Sequence, residues 1–265
     1  MTQDVTPLKD QLGVTPREQT DLALPVGDDL DPLGSVGQEE LVLPTVKLVQ
    51  GVSRAADATK AGSFFDPLTG AYRELLNVAI LRLGRSRSLF AEGSFDQPPL
   101  CSSDDAVKPQ ERVMVGNVET GPTCDECPFS MWGSAKSGKG KGQACGFSYN
   151  LLCMDMEIEE PYILRVGGTS IIEWRRYMTA VKRGRLPIYA IKTTITSEAR
   201  TFEAGKAYVT LFANGGPLAH DVALSMRSKA ASFKGASLDA AQEPREEMPA
   251  FDEPQYGEPD EVPFE

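Results

Sequence analysis

Four cysteines, Cys101, Cys124, Cys127 and Cys145, fall in one loop-like stretch, and the middle two are spaced C-x-x-C in Thr123-Cys-Asp-Glu-Cys-Pro128. A C-x-x-C turn lets two thiolates reach one tetrahedral ion, and Cys145, separated from Cys127 by 17 residues, lies within range of a third ligand. Cys101 follows Gln97-Pro-Pro-Leu100 and precedes Ser-Ser-Asp-Asp, a polar loop free to turn inward as the fourth. The fifth cysteine, Cys153, sits in the apolar run Asn150-Leu-Leu-Cys-Met-Asp-Met156, which reads as a buried strand and assigns it to the core. The spacing therefore predicts zinc held by Cys101, Cys124, Cys127 and Cys145.

Four sulfur ligands leave no vacancy for water, so such a metal holds structure and activates no nucleophile. It staples loops too poor in apolar residues to fold alone, such as Gly133-Ser-Ala-Lys-Ser-Gly-Lys-Gly-Lys-Gly142. The plainer alternative is a set of unrelated free thiols. Disulfides are disfavoured: Met1-Thr-Gln-Asp-Val-Thr-Pro7 has neither a basic region nor an apolar segment, and no run is long enough to span a bilayer. A reducing cytoplasm is the expected location. Gly133 to Lys139 also fits G-x-x-x-x-G-K, the opening of a phosphate-binding loop, but Gly140 stands where Ser or Thr should hold magnesium. A flexible basic loop is the better reading.

Charge divides the chain into three. Residues 1–40 carry nine acidic and two basic side chains, and residues 235–265 carry ten and one in a proline-rich setting. Neither end can bury enough apolar surface to offset the entropy of ordering, so both are expected to be disordered arms. Residues 41–234 hold 24 basic and 19 acidic side chains, so a formal net charge of −11 conceals a mildly basic core.

Within that core the pattern is mostly strands. Leu75 to Leu83 and Phe147 to Met156 are apolar β-prone runs, and Ile188 to Thr196 and Ala207 to Phe212 alternate as a hairpin about Gly205. Thr45 to Val52 and Tyr162 to Val166 are shorter candidates. Ser170 and Glu173 suggest a capping box ahead of a helix that turns Ile171, Trp174, Met178 and Val181 to the core. A second helix after Pro217 sets Leu218, Val222 and Met226 on one side. These elements predict a mainly β fold with minor α content, an OB-fold-like Greek-key barrel with a zinc-binding insertion at about 98–146. A split sheet with flanking helices is the second choice.

Basic residues cluster in three places, each beside aromatics. Arg82, Arg85 and Arg87 follow Phe64 and Phe65; Lys136, Lys139 and Lys141 lie between Trp132 and the pair Phe147 and Tyr149; Arg175, Arg176, Lys182, Arg183 and Arg185 accompany Tyr177 and Tyr189. Single-stranded nucleic acid requires that combination, because cations hold the backbone while flat side chains stack on unpaired bases. Trp174, by contrast, is assigned to the core.

A cysteine-liganded loop set in a barrel, with a basic groove and an acidic tail, resembles the replication single-stranded-DNA-binding proteins of bacteriophages. The resemblance rests on Leu43-Pro-Thr-Val-Lys-Leu-Val-Gln-Gly51, the Cys101 to Cys145 segment, and Asp260-Glu-Val-Pro-Phe264. It implies a protein that covers exposed strands during replication, recombination and repair. It also implies that Asp260, Glu261, Val262, Pro263 and Phe264 form a tip that recruits polymerase, helicase or nuclease. Whether copies of the chain also associate is left open by the sequence. One departure is Glu265, which follows the phenylalanine that ends the familiar tails.

No catalytic residue is expected. His220 is the only histidine, and Cys153 has no visible activating partner. Asp155, Glu157, Glu159 and Glu160 read as a solvated strand end and not as a magnesium-dependent nuclease site. The competing reading from another class is a zinc-stapled adaptor that docks partners through its acidic arms and binds no nucleic acid.

Overall fold

Alternating apolar residues with β-branched and aromatic neighbours build one large sheet. Its strands are β1 (Thr45–Leu48), β2 (Phe64–Phe65), β3 (Tyr72–Arg73), β4 (Leu76–Leu89), β5 (Cys101–Ser103), β8 (Cys145–Asp155), β9 (Pro161–Gly167), β10 (Ile191–Phe202) and β11 (Gly205–Pro217). The order across the sheet is β11-β10-β4-β8-β9-β1-β2-β3, with β5 added to β4, while β6 (Met114–Val115) and β7 (Val118–Glu119) form a separate hairpin. All neighbours are antiparallel except β1 and β9. The computed structural model describes residues 43–50, 61–91, 97–135, 142–202 and 205–238. The acidic arm 1–40, Lys136, Lys139, Lys141 and the tip Asp260 to Phe264 lie outside those residues.

The fold is mainly β, with the sheet curled into a half-barrel. Period-2 alternation gives it two apolar faces. Val78, Ile80, Leu151, Leu164, Val166 and Ile195 pack against Trp174, Tyr177 and Val181 of helix α1 (Ser170–Arg183). Their sequence neighbours Ala79, Leu81, Leu152 and Ile163 face the other way, toward Met226 of helix α2 (His220–Ser232) and Leu238. Trp174 is 1% exposed, and its loss to alanine is worth roughly 3–5 kcal/mol at such a site.

The curl brings together strands that are distant along the sheet. Gln50 lies just past β1, and four strands separate β1 from β11 in the sheet order. Even so, the Gln50 side-chain amide accepts from Tyr208 N–H of β11 at 2.8 Å and donates to Tyr208 C=O at 3.0 Å. One side chain thus supplies the partners a neighbouring strand would give that edge residue. Ser170 does the same further along, its Oγ accepting from Thr210 N–H at 2.9 Å.

That bond also corrects the expected capping box. Ser170 is the first helical residue, Thr169 occupies the N-cap without a side-chain cap bond, and Glu173 turns outward to Arg176 at 3.1 Å and Arg200 at 2.8 Å. The reciprocal geometry fails because the edge of β11 takes the serine oxygen. Trp174 and Val181 face the core as expected, joined by Tyr177, whose hydroxyl lies 2.6 Å from Thr193 Oγ1. Among the described residues no helix is long and apolar enough to cross a membrane.

Candidate nucleic-acid interface and metal centre

β4 and β8 pair antiparallel through Leu83↔Leu151, Arg85↔Tyr149, Arg87↔Phe147 and Leu89↔Cys145. Partners in such a ladder share a face, and residues two apart along a strand share it too. Leu151 belongs to the core under α1. The same face therefore carries, moving outward, Leu83 with Leu151, Arg85 with Tyr149, Arg87 with Phe147, and Leu89 with Cys145. Core gives way to a cationic and aromatic strip, which ends at a thiol.

Contacts hold this strip in shape. The Arg87 guanidinium lies over the Phe147 ring, 5.5 Å from its centroid, and Phe147 meets Tyr149 edge to face at 5.0 Å. From α1, Arg175 Nε donates to Tyr149 Oη at 3.4 Å, and Trp174 lies 6.2 Å from the Tyr149 ring. Arg85 and Arg175 are exposed, while Arg87, Phe147 and Tyr149 are half-buried. Arg85 and Arg175 thus face solvent beside rings anchored on the sheet, while Arg87 is partly enclosed.

At the outer end of the strip, residues 90–144 leave β4 and return to β8. β5 pairs with β4 through Leu89↔Cys101, so Leu89 stands between Cys101 and Cys145 on the two flanking strands. Cys124 and Cys127 reach the same place by loop geometry. Asp105 Oδ1 accepts from Val107 N–H at 2.7 Å, Lys108 N–H at 3.0 Å and Ser103 Oγ at 3.0 Å, and Val107 C=O in turn accepts from Cys124 N–H at 2.8 Å. Pro128 then opens a single 3-10 turn, in which Ser130 donates twice to Cys127 C=O. Gly121 permits this close approach, because a Cβ there would sit 2.7 Å from Cys127 Cα and 2.8 Å from its nitrogen.

All four cysteines line one small cavity together with Arg87, Ser103, Thr120 and Gly121. Cys124, Cys127 and Cys145 are buried, and all five cysteines are free thiols. Among the described residues no group of three or more His, Cys, Asp or Glu side chains is placed as a metal-holding set, and what the four sulfurs share is the lining of this cavity. Burial raises the thiols of Cys101 and Cys124 and pushes Cys145 up to about 12, while the Arg87 charge pulls Cys124 and Cys145 the other way. Arg87 Nη1 donates to Cys145 C=O at 3.4 Å, but its buried Nε finds no partner. A donor set of four sulfurs around a cavity with an orphaned N–H fits a tetrahedral thiolate-bound ion. Cys153 lies 0% exposed in the core, away from this set, and burial drives its thiol far up.

The remaining candidates separate from the strip. Phe64 is 1% exposed, so no base can stack on it. Phe65 sits with Tyr72 at the β2–β3 end of the sheet, rings 4.7 Å apart. Arg82 pairs with Leu152 on the α2 face, and its Nη1 donates to Phe233 C=O and, at 3.2 Å, to Ala236 C=O, closing the C-terminus of α2. Tyr189 packs into the α2 cluster. Arg176 pairs with Glu173, while Lys182, Arg183 and Arg185 are exposed at the far end of α1. Trp132 is 79% exposed on the cysteine segment, beside the bond from Gly133 N–H to Gly142 C=O at 2.8 Å that closes the basic loop.

Phe147, named with Tyr149 beside the lysine cluster, is paired instead with Arg87 of the first cluster and completes the strip. Its signal is the alternation Cys145, Phe147, Tyr149, Leu151, Cys153 along one strand face. Asp155 also departs from expectation: it is buried, one oxygen paired with Arg73 and the other accepting from Glu157 N–H at 2.8 Å and Ile158 N–H at 3.3 Å. His220 is exposed at the start of α2. No protein-family model, curated protein or solved structure gives a significant match to the chain.

Proposed function

We propose that this chain is a non-catalytic single-stranded-DNA-binding protein of the bacteriophage replication type. In this reading it coats strands exposed in replication, recombination and repair, with the curled sheet acting as an oligonucleotide-binding barrel. The observation that carries the reading is the paired row Arg85 with Tyr149 and Arg87 with Phe147 on one sheet face, flanked by Arg175. Phosphates lie along the exposed guanidinium groups, and bases stack on the rings, each base contributing on the order of 1–3 kcal/mol. Exposed Trp132 extends the path over the cysteine segment.

Cys101, Cys124, Cys127 and Cys145 hold a structural zinc. Bound there, the ion cross-links three stretches of chain and replaces the apolar core that residues 98–146 lack. The acidic tail, with Asp260, Glu261, Val262, Pro263 and Phe264 at its tip, recruits polymerase, helicase or nuclease and competes with DNA for the cationic strip.

Titration with oligothymidine at low salt tests the reading, followed by tryptophan emission. Exposed Trp132 should report binding, whereas Trp174, 1% exposed, should not; Trp132→Phe should therefore remove the signal while binding by electrophoretic shift persists. A protein that gives neither quenching nor a shift would instead be a zinc-stapled adaptor.

A further inference from the structure

Arg87 is unusual in belonging to two places. It lies over Phe147 in the cationic strip, and it also lines the cysteine cavity and bonds the backbone of Cys145. Its Nε is buried without an acceptor. Native proteins rarely leave a buried donor unsatisfied, and such an atom calls for an ion or group that completes it. Four thiolates around a divalent cation carry a net charge of −2, and of the side chains lining the cavity only Arg87 is cationic. A thiolate sulfur bound to metal is an acceptor for that orphaned N–H.

We infer that Arg87 is a positioning residue that couples the cysteine centre to the nucleic-acid strip: the metal-bound thiolates hold its guanidinium by charge and by the Nε–H bond, and so held it fixes Phe147 for stacking. This rests on the proposed function above and deepens it. Without metal the anchor on one side of Arg87 is lost, and the planar group is free to leave the Phe147 ring. Metal and DNA then bind cooperatively, and by linkage each tightens the other by the same factor. Arg85 lies on the same face two residues away, is exposed, and does not line the cavity. It serves as the control.

The experiment uses the full chain loaded with cobalt, whose thiolate absorption reports the centre directly. The rate at which a chelator strips cobalt is measured with and without saturating oligothymidine, for the wild type, Arg87→Gln, Arg87→Lys and Arg85→Gln. In the wild type, oligothymidine should slow stripping. Arg87→Gln should lose cobalt roughly tenfold faster or more, the usual scale for removing an outer-shell partner, and oligothymidine should no longer slow the loss. Arg87→Lys keeps the charge without the planar fork, and should retain part of the metal affinity but little of the coupling. Arg85→Gln should strip at the wild-type rate and weaken only DNA binding. Wild-type retention of cobalt, or undiminished protection by DNA, in Arg87→Gln overturns the inference. If Arg87→Gln does not fold, Arg87→Lys decides: full coupling there rejects the planar anchor. A wild type that takes up no cobalt yet shifts oligothymidine defeats the metal centre and this coupling together, while leaving the DNA-binding reading in place.

Discussion

The guanidinium of Arg73 is ion-paired with the carboxylate of Asp155, whose side chain is wholly buried, and this pair joins β3 to the inner end of β8. Burial works against the Arg73 charge, but the hydrogen bond and charge of Asp155 outweigh it and raise the guanidinium further. The other Asp155 oxygen organises the turn after β8 by accepting two backbone N–H groups. Both oxygens of this carboxylate are therefore engaged in holding the fold.

Asp155→Ala should consequently destabilise the fold by roughly 3–5 kcal/mol, the usual cost of removing one partner from a buried pair. Arg73→Ala should cost at least as much, because it strands the more deeply buried charge. Urea denaturation measures both. DNA affinity of the folded Asp155→Ala protein should be unchanged, since the pair lies at the opposite end of β8 from Phe147.

Much of this architecture was legible because it is written in short-range periodicity. The strands around Val78, Leu151, Ile163 and Ile195, and the helix carrying Trp174, follow from local alternation. The cysteine cavity was also legible, since C-x-x-C spacing reports a local turn. What escaped was long-range register. Nothing in the run Arg82, Arg85, Arg87 says that a bulge between Ile80 and Arg82 leaves Arg82 on the α2 face while Arg85 and Arg87 line up with Tyr149 and Phe147. Phe64 and Tyr189 misled for the same reason, being placed by nearness in sequence to arginines from which tertiary packing separates them. The serine of the apparent capping box likewise answers to Thr210, forty residues away.

Metal binding should depend steeply on pH. Each thiol that ionises on binding releases a proton, so affinity should fall by roughly tenfold per pH unit for each such proton as the solution is acidified. Competition with a colorimetric chelator at pH 6 and pH 8 measures this. The metal-free chain should show the opposite sense in alkali. Because burial pushes Cys145 up to about 12, its folded form keeps a proton that the unfolded form loses near the ordinary thiol value, about 8.5. Stability should fall between those values as pH rises. Cys153→Ser should leave metal content unchanged, whereas serine at Cys124 or Cys145 should abolish stoichiometric zinc.

Gly121→Ala should act on the same centre without touching a sulfur. Its Cβ would collide with Cys127 Cα and nitrogen, so the C-x-x-C turn must move away from the cavity. The expected result is loss of zinc with the sheet intact, read as unchanged far-ultraviolet dichroism beside a lowered metal content. Retention of zinc by this variant would mean the knuckle shifts bodily while its sulfurs keep their places.

Two arginines of β4 should separate DNA binding from stability. Arg85→Gln removes an exposed cation from the strip, so the salt dependence of oligothymidine affinity should flatten by roughly one counterion, about 0.7 in the logarithmic slope. Arg82→Gln frees the carbonyls of Phe233 and Ala236, so it should lower the melting temperature and leave that slope alone. Tyr149→Leu keeps an apolar body against Trp174 but removes the ring, and should lose on the order of 1–3 kcal/mol of binding.

Self-competition by the acidic tail requires care over where the chain is cut. Packing continues past α2 as far as Leu238, which is 8% exposed and whose Cβ would lie 3.2 Å from a Cβ at Gly84, and Ala236 C=O accepts from Arg82. A truncation after Lys234 would strip these contacts from β4 and confuse stability with binding. Removing residues 240–265 instead leaves them in place and takes away nine of the ten acidic side chains that follow Lys234. A tethered polyanion acts at roughly millimolar effective concentration, so its removal should tighten oligothymidine binding at low salt, with the gain vanishing as salt rises. Equal affinities for the two proteins at low salt would mean that the tail serves partners alone and leaves the cationic strip open.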